Sequence, residues 1–296
     1  MLNLFRAEWT KIGGNRWVVS CLVWVFPLLA IVFVAVSALV MALSDDARAE
    51  IANDEILWTE QAVSVWDVPN NQVGRLVLLG FAAVVFAGEY QWQTWKNTVP
   101  RNRRPALILV KFVTLGLYIV LAFVLMSLLW ALGWGLLAKI AGGSYGPAVT
   151  GSVLGDFAGD YALQASLAFS NTLIAAGYAA LAAMITRSIL GSVLVSFGAV
   201  ALENVSIVIF LLVGWFLRVP RIVEAYRFTP SYNLSNVAKW ISDDAPATIR
   251  PYADRSRYSD LLLSDSLGFS LAVLVVWMVG LVALSIYLFR RQDLAT

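Results

Sequence analysis

Long runs of apolar residues dominate the chain and set its predicted elements. A helix needs about 20 apolar residues to cross a hydrocarbon core of roughly 30 Å. Runs of this kind occur at about 17–43, 73–88, 106–140, 161–186, 189–217 and 267–289. They are solid, without the alternation of a transmembrane barrel, and Pro27 is expected to kink the first of them. The pattern predicts an all-α polytopic membrane protein with six transmembrane helices, which we interpret as a single transmembrane domain over residues 1–296.

The composition agrees with this pattern and removes most familiar catalytic chemistry. Hydrophobic residues make up 60% of the chain and charged residues 14%, against roughly 45–50% and 25% in a soluble domain. With no histidine and one cysteine, the chain cannot form a His-ligated metal site, a Ser-His or Cys-His nucleophile, or an intrachain disulfide. A net charge of +2 gives no sign of a nucleic-acid partner. We expect no catalytic residue and no metal site.

The distribution of charge predicts the orientation. With six spans, both termini and the segment 89–105 share one side, and this side carries 11 basic and three acidic residues. The opposite side holds 10 basic and 15 acidic residues, in loops at about 44–72, 141–160 and 218–266. Because cytoplasmic loops are enriched in Lys and Arg, we expect both termini to be cytoplasmic. The external segment 218–266 mixes apolar and basic residues and is expected to hold short surface helices.

The first sixteen residues combine an apolar and a charged stripe. Leu4, Phe5 and Trp9 alternate with charged residues such as Glu8 and Lys11, which is typical of a helix lying in the membrane interface. The alternative is a plain basic flank that sets orientation, with Trp9 as an aromatic belt residue.

The connection between the second and third spans carries the densest mixture of basic and aromatic residues. It reads GEYQWQTWKNTVPRNRRPALILVK from Gly88 to Lys111. The residues from Glu89 to Thr98 are predicted to form a short cytoplasmic helix that ends before Pro100. The alternative is a positive-inside loop that only sets orientation.

These segments resemble the ABC-2 type transporter permease family. The resemblance begins with an acidic residue and a lysine before the first span, followed by Gly-Glu-Tyr near the end of the second span, a threonine, a proline and a basic cluster. In this chain the matching positions are Glu8, Lys11, Gly88, Glu89, Tyr90, Thr94, Lys96, Pro100, Arg103 or Arg104, and Lys111. Gln93 departs from the pattern, since members often carry glycine before the threonine.

The resemblance implies a pathway subunit that depends on partners. Such permeases pair as homodimers or heterodimers in the bilayer, and each protomer binds a cytoplasmic ATPase subunit that holds ATP and Mg. The implied ATPase docking and coupling residues are Glu8, Lys11, Glu89, Tyr90, Thr94, Lys96, Arg101, Arg103 and Arg104. The sequence contains no GxxxxGK[ST] phosphate loop, so we expect no cofactor in this chain and no enzyme activity of its own. The implied role is export across a prokaryotic plasma membrane.

One carboxylate interrupts the apolar runs. Glu203 lies inside the fifth span beside Asn204, and Asn171 lies in the fourth. Ionisable groups in membranes usually face a bundle interior or a wet cavity, so these residues are candidates for the substrate pathway. The alternatives for Glu203 are a structural hydrogen bond between helices or a position near the outer boundary.

Two other functional classes compete with the permease. An ion-coupled secondary carrier usually has several intramembrane charges, and this chain offers Glu203 almost alone. A membrane-embedded accessory or sensor protein would leave the coupling-type segment 89–105 without a purpose.

Overall fold

The computed structural model describes residues 2–15, 19, 21–95, 103–249 and 262–292. The chain is mostly helical there, and five helices are long and apolar enough to cross a membrane. They are α2 (Val25–Leu43), α5 (Gln72–Gln91), α6 (Arg104–Ala141), α7 (Gly151–Thr186) and α11 (Leu267–Arg291). A bent pair, α8 (Ile189–Asn204) and α9 (Ser206–Phe216), makes a sixth if it counts as one span.

The bent pair corrects the prediction of one continuous fifth span. The axes of α8 and α9 differ by 64°, and the break falls at Val205. The Ser206 hydroxyl donates to the Glu203 carbonyl at 2.6 Å and satisfies an acceptor that the break exposes. Hydropathy did not predict the bend because both arms are apolar enough to read as one continuous run.

Two other local features differ from a simple reading of the apolar runs. Pro27 has no N–H to donate to the Val23 carbonyl four residues earlier, and the chain makes a turn at Val23–Trp24 before α2 begins. The Val23 carbonyl accepts from the Phe26 N–H at 3.3 Å instead. The helix α7 begins ten residues before the predicted fourth span, at Gly151.

Shorter elements complete the fold, and they include a small sheet that the all-α prediction did not contain. The helices are α1 (Leu2–Gly14), α3 (Asp45–Asn53), α4 (Trp58–Ser64) and α10 (Pro230–Asp243), with 3₁₀ segments at Val65–Asn70 and Pro220–Phe228. Strands β1 (Glu55–Leu57) and β2 (Ser144–Gly146) pair in parallel, with Ile56 opposite Tyr145.

The chain divides into two compact units, and the first comprises Met1–Val85 and Val110–Phe169. Its core is aromatic and aliphatic around Phe123, which is fully buried. The Phe123 ring lies 4.9 Å from Phe26 and 5.6 Å from Trp66. The Ser127 hydroxyl donates to the Ala62 carbonyl at 2.9 Å, which fastens α4 to α6.

The second unit comprises Phe86–Leu109 and Ser170–Thr296. Small residues let its helices approach closely: a Cβ on Gly177 of α7 would lie 2.8 Å from the Leu281 Cβ of α11. The buried Ser192 hydroxyl of α8 donates to the Ala179 carbonyl of α7 at 2.8 Å. Part of the apolar surface of α11 is exposed, including Val276 and Val279.

Candidate functional site

A buried ion pair fastens α1 to α6 within the first unit. The Lys111 ammonium donates to Glu8 Oε1 at 2.7 Å, and the side chains of Lys111 and Glu8 are only 1% and 9% exposed. Lys111 also donates to the Val85 carbonyl of α5 at 2.8 Å. Lys11, one turn after Glu8, lies 3.4 Å from both Glu8 oxygens. We call Glu8, Lys11 and Lys111 the ion cluster.

The electrostatics of this cluster favour an ionised Glu8. Burial opposes ionisation of Glu8, but the charges of Lys111 and Lys11 outweigh it and hold the pKa of Glu8 below its ordinary value. Burial, and then the charge of Lys111, lowers the pKa of Lys11 to about 8 although Glu8 opposes this. Removing one partner from such a buried pair typically costs about 3–5 kcal/mol, since it leaves an uncompensated charge.

Aromatic contacts fix the same helix against α6. The rings of Trp9 and Tyr118 stack with centroids 4.3 Å apart, and the Tyr118 hydroxyl donates to the Trp9 carbonyl at 3.2 Å. A Cβ on Gly13 would lie 2.8 Å from that hydroxyl oxygen, so the glycine permits the approach. Trp9 therefore packs on a helix of its own unit, a contact that a plain basic flank would not need.

In the second unit, Tyr90 and Arg104 make hydrogen bonds at the end of α11 that involve no carboxylate partner among the described residues. The Tyr90 hydroxyl donates to Gln292 Oε1 at 2.5 Å, and Gln292 Nε2 donates to the Met184 carbonyl at 2.7 Å. Arg104 Nη1 donates to the carbonyls of Arg290 and Gln292 at 2.7 and 3.0 Å. These carbonyls terminate α11, where helices leave acceptors unsatisfied. We call Tyr90, Arg104 and Gln292 the C-terminal tie.

An aromatic contact supports this tie. The Trp95 ring is buried 4.5 Å from Phe289 and meets the Tyr90 ring edge-on at 5.6 Å. The chain thus folds back from the end of α5 onto the end of α11.

The reversal after α5 begins later than the sequence predicts. Glu89 and Tyr90 still belong to α5, which ends at Gln91, so the predicted helix does not begin at Glu89. Gln93 takes a left-handed conformation with φ of 54°, and the Thr94 N–H donates to the Glu89 carbonyl at 3.1 Å. The residue that departs from the family pattern therefore occupies a backbone position that favours glycine.

The remaining predicted docking residues differ in exposure. Glu89 is buried and Thr94 half-buried, whereas Lys11 and Arg103 are exposed. Lys96 and Arg101 lie outside the described residues.

Two of the three predicted pathway residues, Glu203 and Asn204, lie at the end of α8 beside the break. The Tyr178 hydroxyl of α7 donates to Glu203 Oε2 at 3.1 Å, and both residues are half-buried. Asn204 ends α8 and is exposed. Asn171 is half-buried in α7, about 10 Å along the helix from Tyr178. Sequence reasoning missed Tyr178, although a tyrosine within an apolar run signals a hydroxyl that needs a partner.

A second feature that the sequence did not predict surrounds the buried Asp265, just before α11. Its carboxylate accepts from the Arg227 guanidinium and, at 3.0 Å, from the Tyr232 hydroxyl. Its carbonyl accepts from Asn236 Nδ2 and Trp240 Nε1, both at 2.9 Å. The hydrogen bond to Asp265 raises the pKa of Arg227 above its ordinary value. These contacts fasten α10 and the preceding 3₁₀ segment to the start of α11.

Comparison with known proteins places the chain in a family. A family model described as ABC-2 family transporter protein matches residues 4–165, which is more than half of the chain and includes the whole ion cluster. No curated protein and no solved structure matches the chain. The chain belongs to the ABC-2 family of transporter proteins.

Proposed function

We propose that this chain is the permease subunit of an ATP-binding cassette exporter, driven by a separate ATPase. The family match and the candidate membrane spans support a transport role. The sequence has no phosphate loop of the GxxxxGK[ST] type, so ATP and Mg would bind to the partner. In this proposal the chain supplies a pathway and performs no hydrolysis.

The ion cluster is the observation that carries this proposal. Its 2.7 Å contact between Lys111 and Glu8 makes α1 part of the span bundle of the first unit, so a force on α1 would reach α6. A docked ATPase could use this connection, because a buried ion pair resists separation far more than an exposed one.

The predicted docking residues take two different roles under this proposal. The exposed side chains of Lys11 and Arg103 would meet the acidic surface of the ATPase, together with Lys96 and Arg101. The buried or half-buried Glu8, Glu89, Tyr90, Thr94 and Arg104 would transmit its movement instead. Both termini would be cytoplasmic, as the distribution of basic residues predicts, and the membrane would be a prokaryotic plasma membrane, as the resemblance to the family implies.

The substrate pathway would form between two protomers. The exposed Asn204 and the half-buried Glu203 and Asn171 supply polar groups along an otherwise apolar surface. In a homodimer or heterodimer these groups would face a substrate, since polar side chains in membranes seldom face lipid.

Copurification tests the proposal. The tagged chain is coexpressed with an ABC ATPase from the same source, extracted in mild detergent and analysed for bound ATPase and for mass. We expect a complex of two permease and two ATPase chains. Reversing both exposed docking charges (Lys11→Glu with Arg103→Glu) should lower ATPase retention about tenfold or more.

A matched pair controls for the change in charge. Arg290→Glu with Arg291→Glu reverses two exposed charges at the end of α11 and should lower retention less than about twofold. A lone monomer that transports without any ATPase would contradict the proposal and favour an ion-coupled carrier.

A further inference from the structure

The last helix, α11, is fastened at both of its ends. It runs unbroken over 25 residues, about 37 Å at 1.5 Å per residue. Much of its side surface is apolar and exposed, whereas hydrogen bonds to other elements of the second unit are found at both of its ends.

The C-terminal end is joined to three other helices of the second unit. The C-terminal tie connects it to α5 through Tyr90, to α6 through Arg104 and to α7 through the Met184 carbonyl. Gln292 uses both its amide oxygen and its amide nitrogen in these contacts. A shift of the segment that follows α5 would therefore act on the end of α11.

The N-terminal end is joined to the segment 218–249. Asn236 Nδ2 donates both to the Asp265 carbonyl and to the Ser270 hydroxyl, at 2.9 and 2.8 Å. Arg227 also lies over the Phe269 ring, 4.9 Å from its centroid. Asp265 and Asn236 are 5% and 0% exposed, so water competes little for these bonds.

A contact in the middle of α11 also joins this helix to the segment 218–249. Trp277 Nε1 donates to the Phe228 carbonyl at 2.8 Å, which fastens the segment 218–249 a further two turns along the helix.

We propose that α11 acts as a rod, meaning a rigid helix that transmits movement from one end to the other. It would carry the movement of the segment 89–105, the proposed ATPase coupling segment, to the external segment 218–249. This inference rests on the proposed function, because that function supplies the ATPase and the orientation. The C-terminal tie is the cytoplasmic attachment of the rod, and the Asp265 contacts are its external attachment. Gln292 is a positioning residue at the first attachment.

The alternative route through α8 and α9 is mechanically weaker. A 64° break separates these helices, so they do not form one continuous helix between their far ends. The helix α11 has no such break. Packed helices transmit displacement because their contacts deform little.

A fluorescence experiment on the reconstituted permease–ATPase complex tests this role. Cys21 is the sole cysteine of the sequence, so Cys21→Ala provides a background for Ser235→Cys, an exposed position of α10. The new thiol carries bimane, and a non-hydrolysable ATP analogue is added in nanodiscs. We expect the analogue to change the bimane emission in the otherwise unmodified complex.

The variants separate transmission from stability. Gln292→Ala should reduce the emission change about fivefold, while ATPase retention and basal hydrolysis persist. Arg290→Ala is the matched control, because it removes an exposed side chain but keeps its carbonyl for Arg104, and it should leave the change intact. Asp265→Asn should reduce the emission change from the other end of the rod.

The outcomes distinguish the two proposals. An ATPase that does not bind the unmodified chain would overturn the proposed function and this inference with it. A full emission change in Gln292→Ala, with the ATPase bound, would overturn the rod alone. Where Gln292→Ala does not fold, Tyr90→Phe removes only one hydroxyl, and an unchanged response in that variant would equally overturn the rod.

Discussion

The two units join their helices through polar contacts of different chemistry. In the first, the ion cluster joins α1 to the spans through buried opposite charges. In the second, the C-terminal tie joins α5, α6 and α7 to α11 through an amide, a phenol and backbone carbonyls around one half-buried arginine. A charge pair fails as a whole when one partner is lost, whereas a set of mostly neutral bonds weakens step by step. The comparison predicts that substitutions in the ion cluster lower the free energy of unfolding steeply, whereas substitutions in the C-terminal tie lower it in proportion to the bonds removed.

The largest effect should follow Lys111→Met. Glu8 would keep only the longer contact to Lys11, and the buried carboxylate would lose its closest charge. We expect the free energy of unfolding in detergent to fall by about 3–5 kcal/mol. The double variant Glu8→Leu with Lys111→Met should recover most of this loss. Additive losses in the double variant would contradict a coupled pair.

A smaller, graded loss is expected for the C-terminal tie. Arg104→Ala removes charged donors from the terminal carbonyls of α11 and should lower the free energy of unfolding by about 1.5–3 kcal/mol. Tyr90→Phe removes one neutral bond and should cost about 1 kcal/mol. Thermal unfolding of both variants measures the gradation. Equal losses in the two variants would show that this region also fails as a whole.

The pH dependence sharpens the comparison, because the ion cluster contains a lysine whose pKa is lowered to about 8, whereas the C-terminal tie of Tyr90, Arg104 and Gln292 contains no lysine. Between this value and the ordinary 10.5 the unfolded chain binds more protons, so stability should rise with pH across that window. Lys11 faces Glu8 of its own helix and Lys111 of α6 and is 38% exposed. Solvent screening therefore limits the rise to about 1 kcal/mol.

A Lys11 variant and the stability at acidic pH test whether the ion cluster causes this pH dependence. Lys11→Met should abolish the rise above pH 8 in a denaturant titration. The depressed pKa of Glu8 makes its contribution present above its ordinary value near 4.5 and lost as the pH falls through the folded value. A rise that persists in Lys11→Met would assign it to another group.

The smallest effect concerns the backbone before the C-terminal tie. Gln93→Gly relieves a left-handed conformation and should raise the free energy of unfolding by about 0.5–1 kcal/mol after the entropy cost of glycine. The matched Gln91→Gly lies in α5 and should lower it by up to about 1 kcal/mol. Stabilisation by both glycines would contradict a conformational cause.

Hydropathy and motif together predicted the candidate spans and part of the candidate site. The acidic residue and the two lysines of the ion cluster belong to the family pattern and turned out to be neighbours. Their partnership was not predictable, because Glu8 and Lys111 are 103 residues apart and their meeting depends on helix packing. The role of Gln292 was not predictable for the same reason, because a single amide near the end of the sequence carries no local signal.

The sequence did not predict the bend between α8 and α9 or the polar contacts before α11, for different physical reasons. No proline or glycine marks the break at Val205, so neither hydropathy nor propensity signals it. Asp265 is one of several charged residues of both signs in the segment 218–266, and nothing in the local sequence distinguishes a buried carboxylate from a solvated one. Its role depends on Arg227, which is 38 residues earlier.

With α8 placed along the membrane normal, the bend also sets how deep Glu203 would lie in a bilayer. With 16 residues, α8 reaches about 24 Å, and the 11 residues of α9 tilted by 64° add about 7 Å. Their sum of about 31 Å just matches a hydrocarbon core of roughly 30 Å. Glu203, about 21 Å from the start of α8, then lies roughly 9 Å from the far edge of the core. In this placement a straight pair would reach about 40 Å, well beyond the hydrocarbon core. The bend would then shorten the pair to about the thickness of the core and keep the acidic side chain of Glu203 near the headgroups.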